Sequence, residues 1–394
     1  MDSVPSLISQ KQMCSVSDIM SMVIPDRNDI ASVLYFSKYS PDELTCYGYS
    51  EINELLKLKY DNANIPQNIT ALKLGAVLNE GMLEKHYITK YSINGIKLYS
   101  EFYEIAELIS IFPKLFKVNR IMMLNDIYGM GSYALLKRNC LHKNKRLSIS
   151  VHSKDTIQMN IMEALNKIQR KGAEAGKFLK VNKLLKADEI FSRNLINSIK
   201  DSKKPSQLII IQNYLNAMRD SETENNSWCS LVSKINCCLN IQAKGGSAII
   251  KINSVFTNPT IKLLKLISFA YESMHIHKPL IIDPINNQQY VILTNFRYDC
   301  NSEEIDNLSN LLNEIIFLVQ NTEDLKVISV FEKLIIDTDF KTQISKHNNS
   351  NSKLQMFCIL QNLEYMKNRQ KQVLVADEKN KLENLKQYTD QFMK

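Results

Sequence analysis

Residues 244–297 read KGGSAIIKINSVFTNPTIKLLKLISFAYESMHIHKPLIIDPINNQQYVILTNFR, and the order of elements in them decides the fold. A Gly245-Gly246 turn opens the run 247–252, which is apolar and β-prone except for Lys251 near its end. Pro259 suits the first turn of a helix, and apolar residues at three-four spacing carry that helix to about Tyr271. A strand at 273–277, a loop through Pro279 and Pro284, and a strand at 289–294 follow. Strand, helix, strand, loop, strand is the closing half of an α/β sheet, and the pattern predicts that the last two strands form a reversed edge.

Upstream, the same alternation continues. A helix is expected at 100–111, with Pro113 marking its end or a kink. A short apolar run at 120–126 leads through glycines to a helix beginning at 133, and 147–151 reads as a strand. Residues 155–200 read as helical and basic, with Lys167, Arg170, Lys171, Lys177, Lys180, Lys183 and Lys186. A break at 203–206, a strand at 207–212, a polar loop at 213–226 and a helix at 228–239 complete the set. Strands alternating with helices imply a sheet covered on both faces.

The flanks differ. Residues 1–105 form a mixed α/β region with helical spacing at 51–58 and 71–84 and a hairpin turning at Asn94-Gly95. Beyond Cys300, helices are expected at 302–320, 323–334, 354–366 and 377–393, with HNNSNSK at 347–353 as a flexible polar break. The expected division is therefore 1–105, 106–300 and 301–394.

Composition narrows the class. Hydrophobic residues make up 44% and charged residues 23%, which fits a folded chain and excludes a disordered or fibrous one. Only 10 glycines are available to build ligand loops. The charge of +8 permits a polyanionic partner without demanding one. None of the 8 cysteines forms a CxxC pair, so zinc ribbons and secreted disulfide frameworks are not expected. No signal pattern opens the chain and no stretch reaches 18 apolar residues, so a soluble, cytoplasmic protein is expected.

Gly245, Gly246, Lys251, Lys278, Pro279, Pro284 and Tyr290 follow one another as in the C-terminal half of the FtsJ-like RNA 2'-O-methyltransferases, and the stretch resembles that family. The resemblance implies a Rossmann-like methyltransferase sheet and S-adenosylmethionine as cofactor if the protein is active. It also implies a tetrad of two lysines and two acids that orients and deprotonates a ribose hydroxyl. Lys251 resembles the lysine at the end of the strand after the glycine pair, and it lies near the strand end, where such sheets place ligands. A solvent-facing lysine at a strand end is the plainer reading.

Elsewhere the pattern departs. Gln288 stands where the family has its closing Glu, and it cannot carry the negative charge. Asp283 stands where the family has Arg. After the strand at 207–211, where an Asp belongs, come Gln212, Asn213 and Tyr214, with no acid before Asp220. The first lysine would be Lys114 or Lys117. The cofactor loop is echoed in LNDIYGMGSY by Asp126, Gly129, Gly131, Ser132 and Tyr133, glycines there allowing close backbone approach; an ordinary strand-to-helix turn is the alternative.

Arg170, Lys171 and Lys177 could meet RNA phosphates or simply form a solvated face. Tyr214 and Trp228 could stack on a base, though Trp228 also suits a core. GAEAG before Lys177 lacks the phosphate-loop register, and His275 with His277 lacks an acid cluster for a metal. The missing acids favour a catalytically degenerate RNA-binding or stimulatory subunit beside a catalytic capping or polymerase partner. An active mRNA cap 2'-O-methyltransferase with a substituted tetrad, and an unrelated α/β protein, are the alternatives. The plan also resembles the small subunit of the poxvirus capping enzyme, and the Asn-, Ile- and Lys-rich composition fits a viral origin. A virion or a viral replication site in the cytoplasm would then be its place.

Overall fold

The computed structural model describes residues 6–8, 34–37, 100–126, 129–139, 148–152, 178–181, 205–212, 220–282, 287–321, 326–331 and 334–368. The elements at 51–58, 71–84 and 377–393, the Asn94-Gly95 turn, and Arg170, Lys171, Lys177 and Tyr214 lie outside the described residues.

The strands are β1 (Ser6–Ile8), β2 (Leu34–Ser37), β3 (Arg120–Leu124), β4 (Ser148–His152), β5 (Phe178–Val181), β6 (Ser206–Ile211), β7 (Gln242–Ile252), β8 (Tyr271–His277), β9 (Gln289–Phe296) and β10 (Lys326–Val330). The helices are α1 (Ser100–Ile111), α2 (Met130–Asn139), α3 (Asp220–Ile241), α4 (Asn258–Ser268), α5 (Glu303–Gln320) and α6 (Thr338–Asn368).

Eight strands form one sheet in the order β1-β8-β9-β7-β6-β3-β4-β5. Strands β7, β6, β3, β4 and β5 are mutually parallel. The order reverses between β3 and β6: β4 and β5 continue to one side, β7 and its neighbours to the other. This is a Rossmann-like methyltransferase sheet, with the expected helices on both faces.

Sequence explains the layering. Met122, Leu124, Ile209, Ile211, Ala248, Ile250, Ile252, Val291 and Leu293 point into the core shared with α3, α4 and α5. Their alternate neighbours Ile121, Met123, Leu208, Ile210, Ile249 and Ile292 point into the core shared with α1 and α2. Inner strands of a parallel sheet are apolar on both faces, so their sequences read as unbroken runs.

Several expectations are corrected. Of the two strands expected to be reversed, β8 and β9, only β9 is: it lies between β7 and β8 and is antiparallel to both. The crossover through α4 sets β8 one place away from β7, and β9 fills the gap. Residues 178–181 were expected to be helical but form edge strand β5, where Phe178, Leu179 and Val181 suit a pleated surface. Residues 326–330, inside an expected helix, form β10 and pair with β2, nearly three hundred residues upstream. Local periodicity cannot register so remote a partner. The helix α3 starts at Asp220, inside the expected loop, and Lys244, Gly245 and Gly246 lie within β7 rather than in a turn. The expected break at 347–353 is the middle of α6.

Helix α1 packs on the sheet, β1 extends the sheet at β8, and β10 joins the N-terminal β2.

Candidate functional site

Parallel α/β sheets bind ligands beyond the carboxyl ends of their strands, beside the point where strand order reverses. At that rim the pairing aligns a polar row across four strands. His277 of β8 faces Tyr290 of β9, and Tyr290 faces Lys251 of β7. Gln212 follows directly after Ile211, which pairs with Ile250, so it stands beside Lys251. The row shares the α1 face, because side chains alternate along each strand.

Two glutamates of α1 straddle this row. The helix buries Phe102, Tyr103, Ile105, Ala106 and Leu108, and with them Glu104 and Glu107. Residues three apart on a helix lie on one face, so both carboxylates reach the row together. Glu104 Oε2 lies 2.7 Å from Lys251 Nζ and 2.5 Å from the Tyr290 hydroxyl. Glu107 Oε1 lies 2.9 Å from His277 Nε2, and both its oxygens accept the Leu280 N–H at 3.1 Å.

The Tyr290 hydroxyl also lies 2.9 Å from Gln212 Oε1. A phenol has one proton and cannot donate to both oxygens. Gln212 Nε2 has no hydrogen-bond partner among the described residues. Turning the Gln212 amide makes Nε2 the donor and leaves the phenol proton for Glu104. Burial and the Glu104 charge hold the Tyr290 hydroxyl well above its ordinary range, so it is a neutral donor.

Two further groups set the field. Burial, and then the Glu104 charge, raise the Glu101 carboxyl, with Lys251 opposing. From the other face, Lys234 of α3 donates to the Lys251 carbonyl at 3.2 Å, and burial with the Lys251 charge brings it down to about 7.

Asp126, Gly129, Gly131 and Ser132 do come together, at the N-terminus of α2. The Asp126 carboxylate accepts the N–H groups of Gly131 at 3.2 Å and Ser132 at 2.8 Å, and the Ser132 hydroxyl at 2.5 Å. Burial raises this carboxyl while those hydrogen bonds favour its charged form. Gly129 has a positive φ of 70°, which suits the tight turn. A Cβ at Gly131 would meet Met123 Cε at 2.2 Å, with Ile105 beyond it, so this glycine faces packed side chains. Among the described residues, the turn commits the Gly131 and Ser132 donors and the Asp126 acid to one another at the start of α2.

The other expected residues are scattered. Gln288 is half-buried just before β9, and its neighbour Gln289 donates to the Asn253 carbonyl at 3.0 Å. Lys114 and Lys117 are exposed in the turn after α1, and Glu104 holds the place beside Lys251. Trp228 is core, 2% exposed. His277 pairs with Glu107, and no group of three or more potential metal ligands occurs among the described residues. No helix among the described residues is long and apolar enough to cross a membrane. Sequence reasoning missed Glu104 and Glu107; the available signal was two acids at i, i+3 on the apolar face of α1.

No protein-family model matches the chain. A stretch of 105 residues, 27% of this chain, is 30% identical to the cap-specific mRNA (nucleoside-2'-O-)-methyltransferase 2 of Drosophila melanogaster, and it spans 14% of that protein's length. Among solved structures, a ribosomal RNA methyltransferase from Plasmodium falciparum matches with 18% identity and a TM-score of 0.34, covering 50% of this chain and 96% of that one. A structure described as a class I S-adenosylmethionine-dependent methyltransferase from Listeria monocytogenes matches with 14% identity and a TM-score of 0.33, covering 67% and 98%. Superpositions this loose leave the fold to be argued from strand order. By that order, and by the 105-residue match, this methyltransferase-fold chain is similar to the FtsJ-like RNA 2'-O-methyltransferases.

Proposed function

We propose that this chain is a catalytically degenerate, RNA-binding or stimulatory subunit of viral-type RNA capping or transcription. The observation that carries the reading is the engagement of Lys251, 2% exposed, with Glu104. Methyl transfer to a ribose requires a lysine nitrogen that can meet the incoming hydroxyl in line with the methyl donor. Here that nitrogen is buried against α1, and its carboxylate partner comes from that helix instead of from the positions where the tetrad's acids belong. Gln212 and Gln288 cannot supply the negative charge the tetrad needs.

The similarity to a cap-specific mRNA methyltransferase supports RNA as a partner. Arg170, Lys171 and Lys177, with Tyr214, are the proposed contacts, and a catalytic capping or polymerase subunit is the proposed companion. The cytoplasm, including a virion or viral replication site, is the proposed location. The second reading, an active cap 2'-O-methyltransferase with a substituted tetrad, draws on the Lys251 that stays at the rim.

Calorimetric titration of the folded chain with S-adenosylmethionine and S-adenosylhomocysteine separates the two. No heat of binding at millimolar ligand is expected. Micromolar binding of either ligand to the folded chain would overturn the degenerate reading in favour of the active one.

A further inference from the structure

Helix α6 is packed with a polar side inward. Phe340 and Ile344 anchor its first turns in the core. Beyond them the buried stripe is Ser345, Asn348, Ser352 and Gln355, at the three-four spacing of a helix face that is ordinarily apolar. On the outward side, Phe357 and Leu360 are 58% and 54% exposed.

The inward residues bind the sheet rim beside Lys251. Asn348 Nδ2 donates to the Val255 carbonyl at 2.8 Å, and Gln355 Nε2 donates to Asn287 Oδ1 at 2.6 Å. His347 Nε2 lies 2.7 Å from Gln289 Oε1. Val255 is in the segment after β7, Gln289 begins β9, and Ile252 pairs with Gln289. These contacts lie over the β7–β9 half of the rim.

The fit is incomplete. The Ser345 and Ser352 hydroxyls and Asn349 Oδ1 are buried without hydrogen-bond partners among the described residues. Polar burial with unmatched groups gains little over hydration, whereas the sheet beneath is held by unbroken apolar layers.

We propose that α6 beyond Ile344 is a detachable strap: it closes the β7–β9 half of the rim and opens as a unit while the sheet stays folded. That it gates RNA rests on the RNA-binding reading above; the opening itself does not.

Hydrogen exchange of the full chain, followed by mass spectrometry, tests this without any ligand. Peptides within 345–368 should exchange together and roughly 100-fold faster than those of β7 and β9. Asn348→Ala strands the Val255 carbonyl and should speed α6 exchange about tenfold. Ser352→Ala removes an unmatched hydroxyl and should slow it several-fold, a test that survives if the first variant fails to fold. Neither should move β7 or β9. Exchange of α6 in step with the sheet in wild type, or equal shifts in α6 and β7 in either variant, would overturn the strap. Adding a short single-stranded RNA then separates the readings. Bound RNA that leaves α6 exchange unchanged overturns the gating. No RNA binding, even where α6 opens freely, overturns the RNA-binding reading and leaves the strap standing.

Discussion

The two halves of the sheet rim each hold one residue that the sequence offered as a site candidate, and they hold it in different ways. On the β3 side, Asp126 is bound by Gly131 and Ser132, five and six residues away. On the β7 side, Lys251 is bound by Glu104, 147 residues away. The first arrangement is a local cap that a strand-to-helix turn can make alone. The second exists only once α1, β7 and β9 have assembled. Both residues face inward, but only the second ties the chemistry of the rim to the stability of the whole fold.

The largest expected effect tests that difference directly. Glu104→Ala leaves the Lys251 ammonium buried without its carboxylate, and losing one partner of a buried pair costs about 3–5 kcal/mol. Urea unfolding should show the midpoint falling by that equivalent with an unchanged slope. The pair Glu104→Leu with Lys251→Met should regain most of the loss, because apolar replacements need no mutual neutralisation. A double variant no more stable than Glu104→Ala would mean that the pair organises α1 beyond its charge balance.

The cover on the β7 half gives the next effect, and it is a pH effect. Burial, with the charges of Lys278 and His277, lowers His347 to about 4, while Gln289 and Asn351 bond to its ring. Unfolded, it titrates near 6.5. Between those values the unfolded chain binds the extra proton, so its contribution to stability falls as pH drops through that window. Wild type should lose on the order of 2–3 kcal/mol relative to His347→Gln between pH 7 and pH 4. Paired denaturation curves cancel the opposing contributions of Asp126 and Glu101, whose carboxyls burial raises. Parallel pH profiles would show that His347 is not shielded by α6.

The same contrast explains what could be read from the sequence. The central strands, α1, α4 and α5 were legible because apolar spacing records burial directly. Lys251 was legible as an interruption of such a run. Glu104 was not, since a carboxylate on an apolar face looks like a lapse in the pattern until its partner across the fold is known. The α6 stripe failed for a related reason: Ser345, Asn348, Ser352 and Gln355 keep helical spacing, but polar residues at that spacing signal nothing to a reading based on hydrophobicity. Strand β10 depends on β2, and no local signal names so distant a partner.

The smallest effect belongs to Asp126, and its sign matters more than its size. A carboxylate accepting the N–H groups at positions two and three of α2 serves as that helix's cap, and its removal in Asp126→Ala should cost about 1–2 kcal/mol. Asparagine keeps one of the two acceptor oxygens, so Asp126→Asn should lose less than Asp126→Ala. Faster hydrogen exchange should be confined to α2, with α1 and β7 unmoved, in contrast to Glu104→Ala, which should loosen all three. If Asp126 were instead a buried acid kept for a ligand, its neutralisation would relieve a desolvated charge and both variants would be more stable than wild type. A stabilised Asp126→Asn would therefore break the comparison on the β3 side, while leaving Lys251 and its distant partner untouched.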